Sequence, residues 1–173
     1  MKENYWRGCA NRVFQILARV SPGAETIRVW LHRARGVHIG KNVWIGYDAI
    51  LDTSRPYLIT LEDGSSVGMR ATIIAHFREL QGVTIEKEAF VGPGAIILPN
   101  VVVGRGAVVT AGSVVTQSVP PMTVVQGNPA VAVAKCGVPL GMDVTVKQFS
   151  RRLRALKQPR EVPTYATDRN LKT

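Results

Sequence analysis

His76 is the residue in this chain best suited to proton transfer. It stands in TIIAHFRELQGVTI, a stretch that lacks the glycine corner found in the regular repeats after it. Imidazole titrates nearest neutrality and can take a proton from an attacking hydroxyl or amine. A lone histidine is also compatible with an incidental place in a loop. Glu79 is the carboxylate nearest to it in sequence, and so the candidate to orient the ring. Glu86 and Glu88 occupy the next repeat, and all three can equally be solvated surface. A zinc-hydroxide site of three histidines, as for hydrating carbon dioxide, would need His32, His38 and His76 together, with an open fourth position. His32 precedes the repeats, and no metal is expected. Cys9 and Cys136 lie at neither ligand nor disulfide spacing, and no serine sits in a nucleophile elbow. Nothing here requires a covalent intermediate.

Such a histidine must be held by the elements around it, and these repeat. Aliphatic residues recur every six positions at Ile85, Val91, Ile97, Val103, Val109 and Val115. A second track, mostly of small residues, runs two positions earlier through Val83, Ala89, Ala95, Val101, Ala107, Ser113 and Val119. Two side chains at i and i−2 of a strand point to one face. Glycines between the tracks allow tight corners. Three six-residue faces make one triangular turn of a parallel β-helix, whose core is a column. The tracks recur at Ile39, Ile45 and Leu51, and again at Leu61, Val67 and Ile73. From Leu51 to Leu61 the step is ten, so four extra residues fall at a corner, in DTSRPY.

The flanks differ from the repeats. Residues 1–35, 36–130 and 131–173 carry net charges of +5, −1 and +6 within a chain of 173 residues and total charge +10. They are expected to be an N-terminal helix with a lead-in strand, the β-helix, and a basic tail. In the first, Trp6, Val13, Phe14 and Leu17 form an apolar stripe at helical spacing, suited to packing on the column or to lying on a membrane surface. Ile27, Val29 and Leu31 alternate with Arg28, Trp30 and His32, which predicts a strand closing the open end. After Gly127-Asn128-Pro129 the chain is expected to run back along the solenoid. Val146, Phe149, Leu153 and Leu156 predict a short basic amphipathic helix, and residues 162–173 an extended or mobile end. Nucleic acid is not an expected partner, because the repeats carry no aromatic platform or basic reading helix. With no long apolar run and no signal peptide, the expected location is cytoplasmic, with peripheral contact to an anionic membrane on that side.

GVHIGKNVWIG, PYLITLEDGSSVGMRATIIAHF, the run from Val83 to Pro121 and the closing GNPA resemble the hexapeptide-repeat acyltransferases, in particular those that acetylate sugars. The resemblance implies a left-handed β-helix assembled as a homotrimer, with an active site at each subunit interface. It implies acetyl-CoA as cosubstrate, a saccharide or related small molecule as acceptor, and His76 as general base. It also places Gly127, Asn128, Pro129 and Ala130 at the acyl-CoA end of the groove. There the pantetheine arm would lie along Gly94 to Ala95, Gly106 to Ala107 and Ala111 to Gly112, with Arg105 and Lys135 meeting phosphates. Relatives commonly carry an acidic or amide residue after the histidine, where this chain has Phe77, and a basic residue after Pro-Ala, where it has Val131. A noncatalytic trimeric scaffold with basic arms is the competing reading.

Overall fold

The computed structural model describes residues 5–76, 81–141 and 144–156. Two helices, α1 (Tyr5–Val20) and α2 (Ile27–Ala34), lead into four triangular coils. The first coil is β1 (His38–Ile39), β2 (Trp44–Ile45) and β3 (Ile50–Leu51), and the second is β4 (Ile59–Leu61), β5 (Ser66–Val67) and β6 (Thr72–Ile73). The third is β7 (Val83–Ile85), β8 (Phe90–Val91) and β9 (Ile96–Ile97), and the fourth is β10 (Val102–Val103), β11 (Val108–Val109) and β12 (Val114–Val115). Corresponding strands pair in parallel, giving sheets ordered β1-β4-β7-β10, β2-β5-β8-β11 and β3-β6-β9-β12. The expected parallel β-helix is thus the observed fold.

Both tracks point inward. Ile45, Leu51, Leu61, Val67, Ile73, Ile85, Val91, Ile97, Val103 and Val109 are each 0% exposed. Small residues of the second track let three such faces close around the column. Two glycines show how tightly the coils stack. A Cβ on Gly68 would lie 2.5 Å from the Pro93 nitrogen, and one on Gly92 would lie 2.6 Å from the Val109 oxygen.

Register fixes where the extra residues go. Leu51 pairs with Ile73, Ile73 with Ile97, and Ile97 with Val115. Steps of 22, 24 and 18 residues follow, so the first two coils carry four and six residues beyond the regular eighteen. Both excesses fall on one corner, after β3 and after β6. Their described first residues, Asp52 and Ala75 to His76, are therefore neighbours.

The first coil has no coil before it, and its axial backbone groups need partners. Side chains of α1 and α2 supply them. Asn11 donates to the Thr53 carbonyl at 2.7 Å, Gln15 to Ala49 at 3.1 Å and Arg28 to Ile45 at 2.8 Å. Arg33 donates to Ile39 and Gly40, and Arg35 to Leu51 and Asp52. In return the N–H groups of Ile45 and Asp48 donate to the carbonyls of Ala24 and Arg19.

This cap corrects two expectations. Residues 27–34 form a helix, not a strand: Arg28, Val29, Leu31 and His32 are the buried positions, which is a helical face. The apolar stripe of α1 is not its packed face. Asn11, Gln15 and Ala18 are buried, whereas Trp6, Val13 and Leu17 are exposed. An edge of carbonyls calls for donors, so the polar face turns inward.

Past the fourth coil, β13 (Thr123–Gly127) continues the middle sheet in parallel beside β11. The chain then turns and β14 (Ala130–Cys136) runs back antiparallel to it, as expected of the tail. The predicted C-terminal helix is shorter: α3 (Val146–Arg151) is followed by β15 (Leu153–Ala155), antiparallel to β14. Thr145 and Gln148 form a capping box at its start. Phe149 is buried with Val108, Val124, Ala134 and Cys136 and Leu153 packs against them, while Val146 and Leu156 of that stripe are exposed. Residues 162–173 lie outside the described residues.

His32 makes the cap sensitive to acid. Burial, then the charges of Arg35 and Arg28, push its imidazole from 6.5 down to about 3. The unfolded chain takes up a proton near 6.5 that the folded chain refuses, so stability falls as pH drops through that window, by at most ~1.4 kcal/mol per pH unit. Thermal melts between pH 7 and pH 4 are expected to show this slope, and His32→Gln to flatten it.

Candidate active site

His76 follows β6 at the corner where both excesses accumulate, and the residue that meets it is Asp52, just after β3. The rung offset of 22 between β3 and β6 sets Asp52 beside the chain that leaves β6. Asp52 Oδ2 lies 2.5 Å from His76 Nδ1 and also accepts the N–H groups of Ala75 at 2.8 Å and His76 at 3.1 Å. Its Oδ1 accepts from Ser54 and Arg55 at 2.9 and 3.0 Å. The Asp52 side chain is 1% exposed and that of His76 38%. Burial pushes the Asp52 carboxyl up. Hydrogen bonds from Arg55, His76, Ala75 and Ser54 outweigh that and hold it below the usual carboxylate range.

A carboxylate can only accept, so Nδ1 donates and Nε2 carries the lone pair. This is the arrangement a general base requires. The orienting role assigned to Glu79 lies outside the described residues. Asp52 fills it, from the insertion that the sequence marks only as a corner loop.

Arg35 secures Asp52 from behind. Its Nη2 donates to the Asp52 carbonyl at 2.7 Å and to Leu51 at 2.9 Å, Nε to Asn11 at 2.6 Å, and Nη1 to Gln15 and His32. Every N–H of the guanidinium has an acceptor. Burial lowers its pKa to about 10, opposed by the charge of Asp52, so it stays ionised at neutral pH.

The other sequence candidates occupy other edges of the prism. Gly94 and Gly112 turn at the corner after β8 and β11, both with positive φ and with open space where a Cβ would stand. Ala111 is exposed beside them, and the Gly112 N–H donates to the Pro93 carbonyl at 2.9 Å. The Gly127-Asn128-Pro129-Ala130 turn reaches that corner through Gly127 N–H to Ser113 Oγ at 3.1 Å, and its Asn128–Pro129 bond is cis. Ala95 and Ala107 are fully buried, so only their main chain can face a ligand. Gly106 is covered by Met122 and Pro139.

Arg105, at the corner after β10, lies 3.3 Å from Glu88 in an exposed pair. Lys135 Nζ donates to Thr123 Oγ1 at 2.6 Å and lines an open cleft of about 570 Å³ together with Arg151, Arg152 and Arg154. Lys135 and Arg154 are direct cross-strand partners. Like charges so placed repel unless an anion joins them. Sequence reasoning missed these three arginines because the tail's fold-back was needed to gather them. Among the described residues no three His, Cys, Asp or Glu side chains form a metal-binding group, and His32 Nδ1 faces Arg35.

Comparison with known proteins bears on the repeats and the fold. Residues 82–117 match the bacterial transferase hexapeptide family, six repeats. YvoF of Bacillus subtilis, to which acetyltransferase activity is ascribed, is 33% identical over 119 residues, covering 65% of this chain and 69% of that protein. The chain belongs to the hexapeptide-repeat acyltransferase family. Another relative, from Schizosaccharomyces pombe and with the same ascription, is 30% identical over 112 residues, or 57% of this chain. The chain spans about half of that protein's length, 53%. Among solved family structures, a Vibrio cholerae hexapeptide-repeat acetyltransferase complexed with acetyl coenzyme A superposes with TM-score 0.56 at 20% identity. It covers 75% of this chain and 87% of that one, a likeness of fold.

The Asp52–His76 contact has a spectroscopic signature. Nitrogen-15 shifts of the His76 ring are expected to show the proton on Nδ1 in the wild type, and Asp52→Asn to weaken that preference and lower the melting temperature, since its amide nitrogen must face backbone N–H donors.

Proposed function

We propose that this protein is a cytoplasmic homotrimeric O-acetyltransferase that moves an acetyl group from acetyl-CoA to a hydroxyl of a sugar, nucleotide sugar or lipid-linked saccharide. The observation that carries the reading is the buried Asp52 carboxylate bonded to a half-exposed His76. His76 Nε2 takes the acceptor's hydroxyl proton as its oxygen attacks the thioester carbonyl. The tetrahedral oxyanion collapses, the carbon–sulfur bond breaks, and the imidazolium returns its proton to the departing thiolate. Asp52 holds the ring's tautomer and stabilises the cation.

The same reading requires assembly. His76 is on one edge of the prism and the Gly94–Gly112 track with the Asn128-Pro129 turn is on another. Apposed edges of two parallel columns would bring the base of one subunit to the glycine track of the next, making the concave site that a lone column lacks. The pantetheine arm fits an edge where Gly94 and Gly112 leave open space. The like-charged Lys135–Arg154 pair and its neighbours suit the donor's phosphates. Acetyl coenzyme A is bound in the Vibrio cholerae complex, and sugars fit the resemblance read from the repeats.

Two outcomes test this. An acceptor screen that follows thiol release and product mass identifies a substrate. With it, His76→Ala is expected to lower turnover about 10²- to 10⁴-fold while coenzyme A affinity and the trimer persist. Full turnover by the variant at saturating acceptor would remove His76 as the base.

Calorimetry addresses the donor separately. Coenzyme A is expected to bind about tenfold or more weakly to Lys135→Ala and Arg154→Ala, as lost phosphate contacts predict. Arg105→Ala is expected to matter less, since an exposed ion pair already engages it. No binding of coenzyme A with an acceptor present would favour the scaffold reading.

A further inference from the structure

The capped end of the column is built in reverse. In α1 the buried positions are Asn11, Gln15 and Ala18, while Val13, Ile16 and Val20 on the far side are 55%, 60% and 59% exposed. At about 100° per residue, these three and Leu17 form one stripe diametrically opposite the packed face. Ile27 and Trp30 of α2 extend it, 46% and 62% exposed, and Phe14 meets Trp30 edge-on. The inward side chains reach backbone carbonyls at the open end of the first coil, so the apolar stripe points outward along the column axis. It stands at the pole, away from the flanks through which parallel columns would pack.

Positive charge outweighs negative at this pole. The two helices carry five arginines and no carboxylate, with only Glu25 between them. Arg12 and Arg33 are exposed, and Arg19 stands at the stripe's edge, joined to Asp48. Two such poles facing each other would repel, which disfavours end-to-end pairing of copies. An anionic lipid surface instead complements both the arginines and the apolar stripe, with a tryptophan at its border. No helix among the described residues is long and apolar enough to cross a bilayer, so the contact would be peripheral.

We propose that the α1–α2 pole docks the protein on anionic membrane surfaces, laying the Val13–Leu17–Trp30 face into the headgroup region. The proposal stands independently of acyl transfer. In a trimer of parallel columns the three poles would face one way, and weak single contacts would add by multivalency.

Flotation of the full chain with vesicles of phosphatidylcholine and phosphatidylglycerol in equal parts tests it. Binding with a blue shift of tryptophan emission is expected at low salt, fading as salt rises. The double variant Val13→Gln/Leu17→Gln, whose side chains are exposed and whose melting should be unchanged, is expected to lose about tenfold or more in partitioning. Arg12→Gln should weaken binding to anionic vesicles. No binding by the wild type at low salt, or equal binding by the double variant, would overturn the proposal. So would a wild type that ignores vesicles while the double variant falls from a larger assembly to a smaller one, which would make the face a contact between copies.

Discussion

Each coil of this column has its backbone hydrogen bonds completed by the next, and the first coil has no predecessor. That unpaired edge governs the whole N-terminal part of the molecule. Arginine, asparagine and glutamine side chains must turn toward it to donate, so the helices that cover it bury polar atoms and leave apolar ones outside. A cap built on hydrophobic contact would have left the carbonyls of Ile45, Ala49, Leu51 and Asp52 without partners, at a cost of about 1–3 kcal/mol for each buried group.

The same edge leads to the chemistry. Arg35 fixes the main chain of Asp52 as part of the cap, and the Asp52 carboxylate in turn gathers the N–H groups of Ser54, Arg55, Ala75 and His76 with the His76 ring. The dyad is thus rooted in hydrogen bonds from both the cap and the second coil. Pre-organisation of this kind fixes the His76 ring before any ligand arrives.

The column could be read from the sequence almost residue by residue, because a strict period of six with inward aliphatics leaves few other folds. The insertion between Leu51 and Leu61 and the irregular stretch after Ile73 were legible too. That their first residues meet was not drawn from them, although adding four residues to the regular eighteen would have set Asp52 beside the chain leaving Ile73. Proximity in sequence favoured Glu79 instead. The lead-in helix was misread because Ile27, Val29 and Leu31 alternate as a strand would, and only the donors facing the open edge decide between the two. Arg151, Arg152 and Arg154 carry no local signal, since it is antiparallel pairing with β14 that brings them to Lys135.

The regular eighteen-residue step between the third and fourth coils has an evolutionary consequence. Asp52 and His76 are supplied entirely by the first two coils, while the glycine track belongs to the later ones. Duplication of a single eighteen-residue unit near β9 would lengthen the prism by one rung and leave the dyad's own hydrogen bonds untouched. Chain length in such a protein can therefore drift by whole coils, changing the distance between the two ends of the column while the Asp52–His76 contact is inherited unchanged.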